Sequence, residues 1–147
     1  MTGKEEELRR EYTRLSVLQE RLQNLLAQQR LVEAQQRDVR STSELLRELS
    51  RVEGEKRESF IHVGAGIYLN VDIPPPKHLL VDVGAKTLVE RNLEDALSYL
   101  EEKDEKLKEL GEALKKEIEN LASLIRESEA KVARLVKEME EEKAVAG

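Results

Sequence analysis

The chain contains no cysteine and very few aromatic residues. Its 147 residues include three tyrosines, one phenylalanine and no tryptophan, so that aromatic residues make up 3% of the sequence. Without cysteine the chain has no disulfide, no thiolate nucleophile and no cysteine ligand for a metal, which fits a reducing cytoplasm. Because aromatic residues are scarce and charged residues make up 38% of the chain, the sequence is poorly suited to a large compact core.

Long apolar runs and an excess of positive charge are also lacking. No apolar run approaches the roughly 18 residues of a membrane-spanning helix, and residues 1–7 (MTGKEEE) are too polar for a secretory signal. The 25 basic residues are interleaved with 31 acidic ones, giving a net charge of −6. Phosphate backbones require clustered positive charge. We therefore expect a soluble cytoplasmic protein with neither a membrane nor a nucleic acid as its partner.

No sequence motif for catalysis or for cofactor binding is recognisable. Residues 64–66 (GAG) lack the third glycine of a dinucleotide fingerprint, since Leu69 occupies that position, and a strand pattern follows them. The chain has no phosphate-binding glycine-lysine motif, and His62 and His78 do not have the spacing of metal ligands. The sequence therefore predicts a protein that is not an enzyme and that has no cofactor and no metal.

Two long stretches carry the apolar heptad repeat of a coiled coil, and charged residues make up 38% of the chain. In residues 4–57 the two rows consist of Leu8, Leu15 and Leu22, and of Leu18, Leu25, Val32, Val39 and Leu46. In residues 92–143, after a predicted N-cap at Asn92, they consist of Leu93, Leu100, Leu107, Leu114, Leu121, Ser128 and Leu135, and of Leu97, Ile118, Ile125, Val132 and Met139. Asp104 and Gly111 interrupt the last row. Two helices of similar length can bury such narrow stripes against each other in an antiparallel pair.

The repeat changes to an alternation of apolar and polar residues in residues 58–91, as expected of β-strands. Glycine or proline occurs in each of three predicted turns, at residues 64–66, 74–77 and 84–86. The pattern predicts two β-hairpins. The fold class is thus α+β, mainly α: a long antiparallel two-helix coiled coil with two β-hairpins at its connecting end. Residues 144–147 are a short tail, and residues 1–147 form a single domain.

The helices use their apolar stripes on each other, which leaves the apolar side of the hairpins without a cover inside this chain. Hairpins from several chains could close into a β-barrel that buries this side and removes the exposed strand edges. The predicted oligomerisation residues are Ile61, Val63, Ile67, Leu69, Val71, Ile73, Leu79, Val81 and Val83.

The sequence resembles the α-type subunit of prefoldin, a hexameric co-chaperone of archaea and eukaryotes. The resemblance is carried by residues 63–69 (VGAGIYL), 80–85 (LVDVGA) and 89–96 (VERNLEDA). It implies a hetero-hexamer of two α-type and four β-type subunits on a double β-barrel. It also implies ATP-independent capture of unfolded client proteins at the tips of the coiled coils, and their delivery to a group II chaperonin.

On this chain, the tip implied by the resemblance comprises the first turns of helix one and the last turns of helix two. The predicted client-binding residues are Leu8, Tyr12, Leu15, Val17, Val132, Leu135, Val136 and Met139. Tyr12, Val17 and Val136 lie off the main heptad rows and are the better candidates, since residues in the rows are usually buried in the seam.

The acidic run at residues 138–142 is either an electrostatic contact for the chaperonin or a solvated helix end. The alternative function is that of a structural coiled-coil protein, which forms filaments or a scaffold through the same hairpins. An enzyme is a third possibility, for which the sequence offers no convergent polar site.

Overall fold

The computed structural model describes residues 3–51 and 56–146, and it contains two long helices with two antiparallel β-hairpins between them. This is the predicted fold class. The elements in chain order are α1 (Gly3–Ser50), β1 (Arg57–Gly64), β2 (Ile67–Ile73), β3 (Leu79–Asp82), β4 (Leu88–Arg91) and α2 (Leu93–Ala146). Within the described residues, neither helix contains an apolar stretch long enough to cross a membrane.

The ends of the helices differ in part from the predicted boundaries. α1 ends at Ser50, not at Arg57, because Arg57 pairs with Ile73 in the first hairpin. α2 continues to Ala146, into the predicted tail, since no glycine or proline precedes residue 147 there. The predicted N-cap of α2 is confirmed: the backbone N–H of Asp95 donates a hydrogen bond to Oδ1 of Asn92 at 2.8 Å.

The chain divides into two compact units, of which the first comprises residues 3–33 and 109–146. In unit 1 the two helix segments run antiparallel, because early residues of α1 contact late residues of α2. Lys4 binds Glu142, Arg21 lies 3.8 Å from Glu117, and Val32 packs beside Gly111. Apolar residues of the predicted heptad rows form the buried seam of this unit: Leu25, Val32, Leu114, Leu121, Ile125 and Leu135.

The second unit comprises residues 34–108 and contains both hairpins with the adjoining helix segments. Here, too, the helix segments are antiparallel, with Arg40 Nε 3.3 Å from Asp104 Oδ1. Val39, Ala96 and Leu107 are buried. Ser43 is buried as well, and its hydroxyl is satisfied within α1, where it donates to the carbonyl oxygen of Val39 at 2.9 Å.

The hairpins form two separate two-stranded sheets, β1 with β2 and β3 with β4. In the first hairpin the register runs from Arg57 opposite Ile73 to Gly64 opposite Ile67, with an irregularity at Val63. In the second, Leu79 lies opposite Arg91 and Asp82 opposite Leu88.

Both hairpin turns place their two central residues in the left-handed region, as in a type I′ turn. In the first turn φ is 49° at Ala65 and 77° at Gly66, and in the second it is 52° at Ala85 and 58° at Lys86. Each turn therefore holds at least one side chain in a conformation that glycine adopts more easily.

Candidate functional site

The first hairpin exposes apolar side chains on both of its faces. The register places Ile61 opposite Leu69 on one face, and the alternation of the strands places Phe60 and Tyr68 on the other. All four side chains are exposed. An isolated two-stranded sheet is marginally stable in water, so burial of these side chains would stabilise this hairpin.

The predicted oligomerisation residues of this hairpin fall into two groups. Ile61, Val63, Ile67 and Leu69 are exposed, whereas Val71 and Ile73 are partly buried. Phe60 and Tyr68 are both exposed, but the prediction omitted them. It considered only the face that carries the aliphatic residues, and these two side chains lie on the other face. Their aromatic character was the signal that could have identified them.

The second hairpin differs from the first, since its inner face is covered in part by the chain's own helices. Leu79 and Val81 are partly buried, and the Tyr99 hydroxyl of α2 donates to the carbonyl oxygen of Asp82 at 3.3 Å. A cavity of about 320 Å³ lies beneath these strands. Its lining consists of Asp38, Val39, Thr42, Leu46, Leu79, Leu80, Val81, Asp82, Ala96, Tyr99, Leu100 and Lys103. The expectation that the helices leave this hairpin without a cover is therefore corrected for Leu79 and Val81.

The outer face of the second hairpin carries the more exposed apolar side chains. Leu80 is 70% exposed and Leu88 is 61% exposed. Leu80 and Asp82 are two residues apart in β3 and therefore point to the same face. Leu88 lies directly opposite Asp82 in β4, so it shares that face with Leu80. The prediction omitted both residues. Of the predicted set, Val83 is exposed just beyond the end of β3.

A shallow groove lies at the end of unit 1 where α1 begins and α2 ends. It has a volume of about 450 Å³, and Tyr12 at its edge is 51% exposed. The structure brings together here three of the predicted client-binding residues, which come from both helices. The lining residues are Glu5, Leu8, Arg9, Tyr12, Thr13 and Met139.

The other predicted client-binding residues do not line this groove. Val17 is exposed on α1, and Leu15, Val132 and Val136 are partly buried. Leu135 requires a correction, because it is only 2% exposed and belongs to the seam. A client could reach Leu135 only after the two helices had separated locally.

A buried polar cluster, which the sequence analysis missed, lies close to this groove. Glu11 and Ser128 are 5% and 2% exposed, and the Ser128 hydroxyl donates to Oε1 of Glu11 at 2.7 Å. Lys131 Nζ lies 3.5 Å from Oε2 of Glu11, and Arg14 lies 3.9 Å from Oε1. The hydrogen bond from Ser128, aided by the charges of Lys131 and Arg14, holds the pKa of Glu11 below its ordinary value, although burial opposes this.

The sequence did contain a signal for this cluster. Glu11 precedes Leu18 by seven residues and thus extends the row of Leu18 and Leu25 toward the beginning of the helix. Ser128 had already been placed in the heptad row of α2. A polar residue in each of two rows that face each other indicates a buried polar pair.

The acidic run near the end of α2 is partly neutralised within unit 1. Lys4 binds both Glu142 and Glu138, the latter at 3.7 Å. The hydrogen bond to Glu142 and the charges of the two glutamates raise the pKa of Lys4 above its ordinary value. Glu138 also lies 3.8 Å from Arg134. At least two carboxylates of the run therefore already have partners in this chain.

The two histidines have partners that are unrelated to metal binding. The ring of His62 lies 5.0 Å from that of Tyr68, and Nδ1 of His78 lies 3.3 Å from Oε1 of Glu90. In the part of the chain that the structure describes, no group of three or more histidine, cysteine, aspartate or glutamate residues could hold a metal ion.

Comparison with known proteins connects this arrangement to one family. The sequence profile of the family described as "Prefoldin subunit" matches residues 18–138. The chain is 33% identical over 129 residues to "Prefoldin subunit alpha" of Pyrococcus horikoshii, a match covering 88% of this chain and 84% of that protein. It is 30% identical over 132 residues to "Prefoldin subunit alpha" of Thermofilum pendens, covering 90% of this chain and 99% of that protein.

A solved structure shares the fold. The chain superposes on the filamentous PFD from Methanocaldococcus jannaschii, determined by cryo-electron microscopy, with a TM-score of 0.65 and 22% sequence identity. The superposition covers 79% of this chain and 95% of that chain. At this level of identity the similarity concerns the arrangement of helices and hairpins. Together with the family profile and the two archaeal relatives, it shows that this chain belongs to the prefoldin subunit family.

Proposed function

We propose that this chain is an α-type subunit of an ATP-independent chaperone that captures unfolded proteins and passes them to a group II chaperonin. The observation that carries the proposal is the groove between Leu8, Tyr12 and Met139. It offers apolar surface to solvent at the end of a helix pair in a prefoldin chain. An enzymatic activity is not part of the proposal, and neither a cofactor nor a metal is required.

The physical character of the groove suits transient binding of many different sequences. It is shallow and open, so a client segment can enter without a large rearrangement, and methionine and tyrosine adapt to side chains of varied shape. Glu5 and Arg9 at its margin supply charges of both signs. A small apolar area with a polar margin binds weakly, which permits release to a second chaperone without energy from nucleotide.

Assembly through the hairpins is the second part of the proposal. The exposed apolar side chains of both hairpins would be buried by β-type subunits in a hetero-hexamer of two α-type and four β-type chains. Burial of one such side chain contributes about 1.5–3 kcal/mol. In this proposal residues 1–147 act as a single cytoplasmic domain with an assembly head at residues 58–91.

A nucleotide-free aggregation assay tests client capture. The chain would be assembled with a β-type partner and added to a denatured client protein as the client is diluted into buffer. We expect suppression of light scattering that is unchanged by ATP. The double variant Tyr12→Gln, Met139→Gln should suppress aggregation at least about threefold less well, because two apolar contacts are lost.

The matched control is Leu31→Gln, since Leu31 is as exposed as Tyr12 on the same helix but does not line the groove. It should retain full suppression while the assembly keeps its size. Equal loss in the control and in the double variant would show that the groove is not the client site.

A structural role in filaments is the second candidate, and one observation favours it. The similar structure from Methanocaldococcus jannaschii is of a filamentous protein. Light scattering after size exclusion separates the two functions. A defined hexamer formed only with a β-type partner supports the chaperone, whereas open-ended oligomers of the chain alone support the filament.

A further inference from the structure

Two polar residues interrupt the apolar seam of unit 1 at the same level. Glu11 stands in the row that continues with Leu18 and Leu25, and Ser128 stands between Leu121 and Leu135 in its own row. Both are almost completely buried. A leucine at each position would complete two rows of large aliphatic residues, so the polar pair reduces the apolar contact of the seam.

The pair is fully satisfied in the observed alignment of the helices. Ser128 donates to Oε1 of Glu11 at 2.7 Å, and Lys131 bridges from Oε2 of Glu11 to Oε1 of Glu7 at 3.5 Å each. Arg14, on the same helix as Glu11, lies 3.9 Å from Oε1. Among the described residues no buried side-chain nitrogen or oxygen lacks a hydrogen-bond partner. The cluster is therefore matched to this one alignment.

A seam of leucines does not distinguish one alignment from the next. If α2 moves along α1 by one heptad, about 10 Å, so that Glu11 reaches the level of Leu121, the leucines that follow Glu11 in its row again meet leucines of α2. Glu11, in contrast, would then face a position without Ser128, and its carboxylate would be buried against aliphatic side chains. An unpaired buried carboxylate is strongly unfavourable, so every shifted alignment is penalised while the observed one is not.

We propose that the Glu11–Ser128 pair is the specificity-determining contact that holds this end of the helix pair in a single alignment. Lys131 and Arg14 assist by balancing the charge of Glu11. The contact keeps Leu135 in the seam and sets Tyr12 beside Met139 at the groove. The proposal concerns the pairing of the helices and stands whether or not the groove binds clients.

The test measures distances between the two helices by pulsed electron spin resonance. Spin labels are attached to Arg10→Cys and Lys137→Cys, two exposed positions on opposite helices, in a chain that has no other cysteine. The unmodified seam should give one narrow distance distribution. The variant Glu11→Leu, Ser128→Leu should melt at a higher temperature and yet show a second distance population, because a shift of one heptad moves the two labels by about 10 Å relative to each other along the helix axis.

Gln29→Leu is the matched control, because Gln29 follows Leu22 by seven residues in the other row of α1, is partly buried, and can be replaced without touching the pair. It should keep a single distance. Singly labelled chains serve as a second control, because any distance that they show must arise between labels on different molecules. The proposal is overturned if the double leucine variant keeps the single narrow distribution, or if Gln29→Leu broadens it equally. If the Glu11–Ser128 pair affected only stability, its replacement would change the melting temperature without changing the distances between the two labels.

Discussion

A Cβ atom added to Gly111 would lie 3.7 Å from Cγ1 of Val32, an ordinary van der Waals contact across the seam of unit 1. Gly111→Ala should therefore stabilise the chain. Alanine favours the helix over glycine by about 1 kcal/mol, and the added methyl group fits without displacing Val32. We expect the free energy of unfolding, measured by urea denaturation followed with circular dichroism, to rise by about 1 kcal/mol.

Gly3→Ala is a suitable control for this gain. Gly3 is the first residue of α1, and nothing lies within 4 Å of the position its Cβ would occupy. Because helix ends fray, the change should have a much smaller effect. A loss of stability in Gly111→Ala would mean that the helices approach more closely at Gly111 than a methyl group permits.

The helices and their seam could be predicted because the heptad repeat records directly which side chains are buried. Leu25, Val32, Leu114 and Leu121 are all buried as their rows require. Glu11 escaped prediction because a charged residue in an apolar row looks like the end of the row, unless its partner Ser128 on the other helix is considered at the same time.

The faces of the second hairpin could not be assigned in the same way. Leu79 and Val81 alternate with polar residues as one face of a strand should, but Leu80 makes the other face apolar as well, so the pattern does not show which face the helices cover. Which of them points inward depends on Tyr99 and the neighbouring helices, and these contacts are distant in sequence. In the first hairpin apolar and polar residues alternate clearly. This pattern does not reveal that side chains on both of its faces are exposed, because their exposure depends on how the hairpin packs against the rest of the chain.

Lys86 is a second position at which a substitution should stabilise the chain. Its φ of 58° lies in the left-handed region, which costs an L-residue roughly 1–2 kcal/mol and glycine almost nothing. Lys86→Gly should stabilise the second hairpin by about 1 kcal/mol, after allowance for the greater freedom of glycine in the unfolded chain. Hydrogen exchange of the Val83 and Thr87 amides, which are both hydrogen-bonded in this turn, should slow by about fivefold.

Lys77→Gly provides the matched control for this substitution. Lys77 is also exposed and lies in the bend before β3, but its φ is not positive. The same change of residue should therefore give no gain there and a small loss from the flexibility of glycine. Equal effects at both positions would show that the removal of a positive charge, and not the turn geometry, is responsible.

The carboxylate of Glu11 should make the stability of the chain depend on pH in the acidic range. The hydrogen bond from Ser128 lowers its folded-state pKa below the ordinary value of 4.5, so the unfolded state takes up a proton first as the pH falls. The stabilisation is therefore present in full well above pH 4.5 and is lost as the pH falls through the folded-state pKa. The difference in unfolding free energy between the wild type and Glu11→Gln should be largest near neutral pH and should shrink in acid.

Ser128→Ala tests the cause of this dependence. Since the hydrogen bond from Ser128 contributes most to the lowered pKa of Glu11, its removal should bring that pKa closer to the ordinary value. In the Ser128→Ala background, the effect of Glu11→Gln should vary less with pH. An undiminished variation would assign the effect to Lys131 and Arg14.

The two faces of the second hairpin should respond differently to polar substitution. Leu80 and Leu88 are exposed on the outer face, whereas Leu79 and Val81 are partly buried on the inner face. Leu80→Ser, Leu88→Ser should leave the melting temperature of the chain alone nearly unchanged. If partner hairpins cover this face, the variant should bind a β-type partner at least about tenfold more weakly, because burial of each leucine contributes about 1.5–3 kcal/mol.

Substitution of the inner face should give the opposite pattern. Leu79→Ser, Val81→Ser removes apolar contacts with the chain's own helices, so the melting temperature should fall by several degrees before any partner is added. Thermal unfolding and binding titrations on both variants distinguish the two faces. Should the inner variant lose partner binding while its melting temperature is unchanged, Leu79 and Val81 would be the assembly contacts, as their alternation in the sequence suggested.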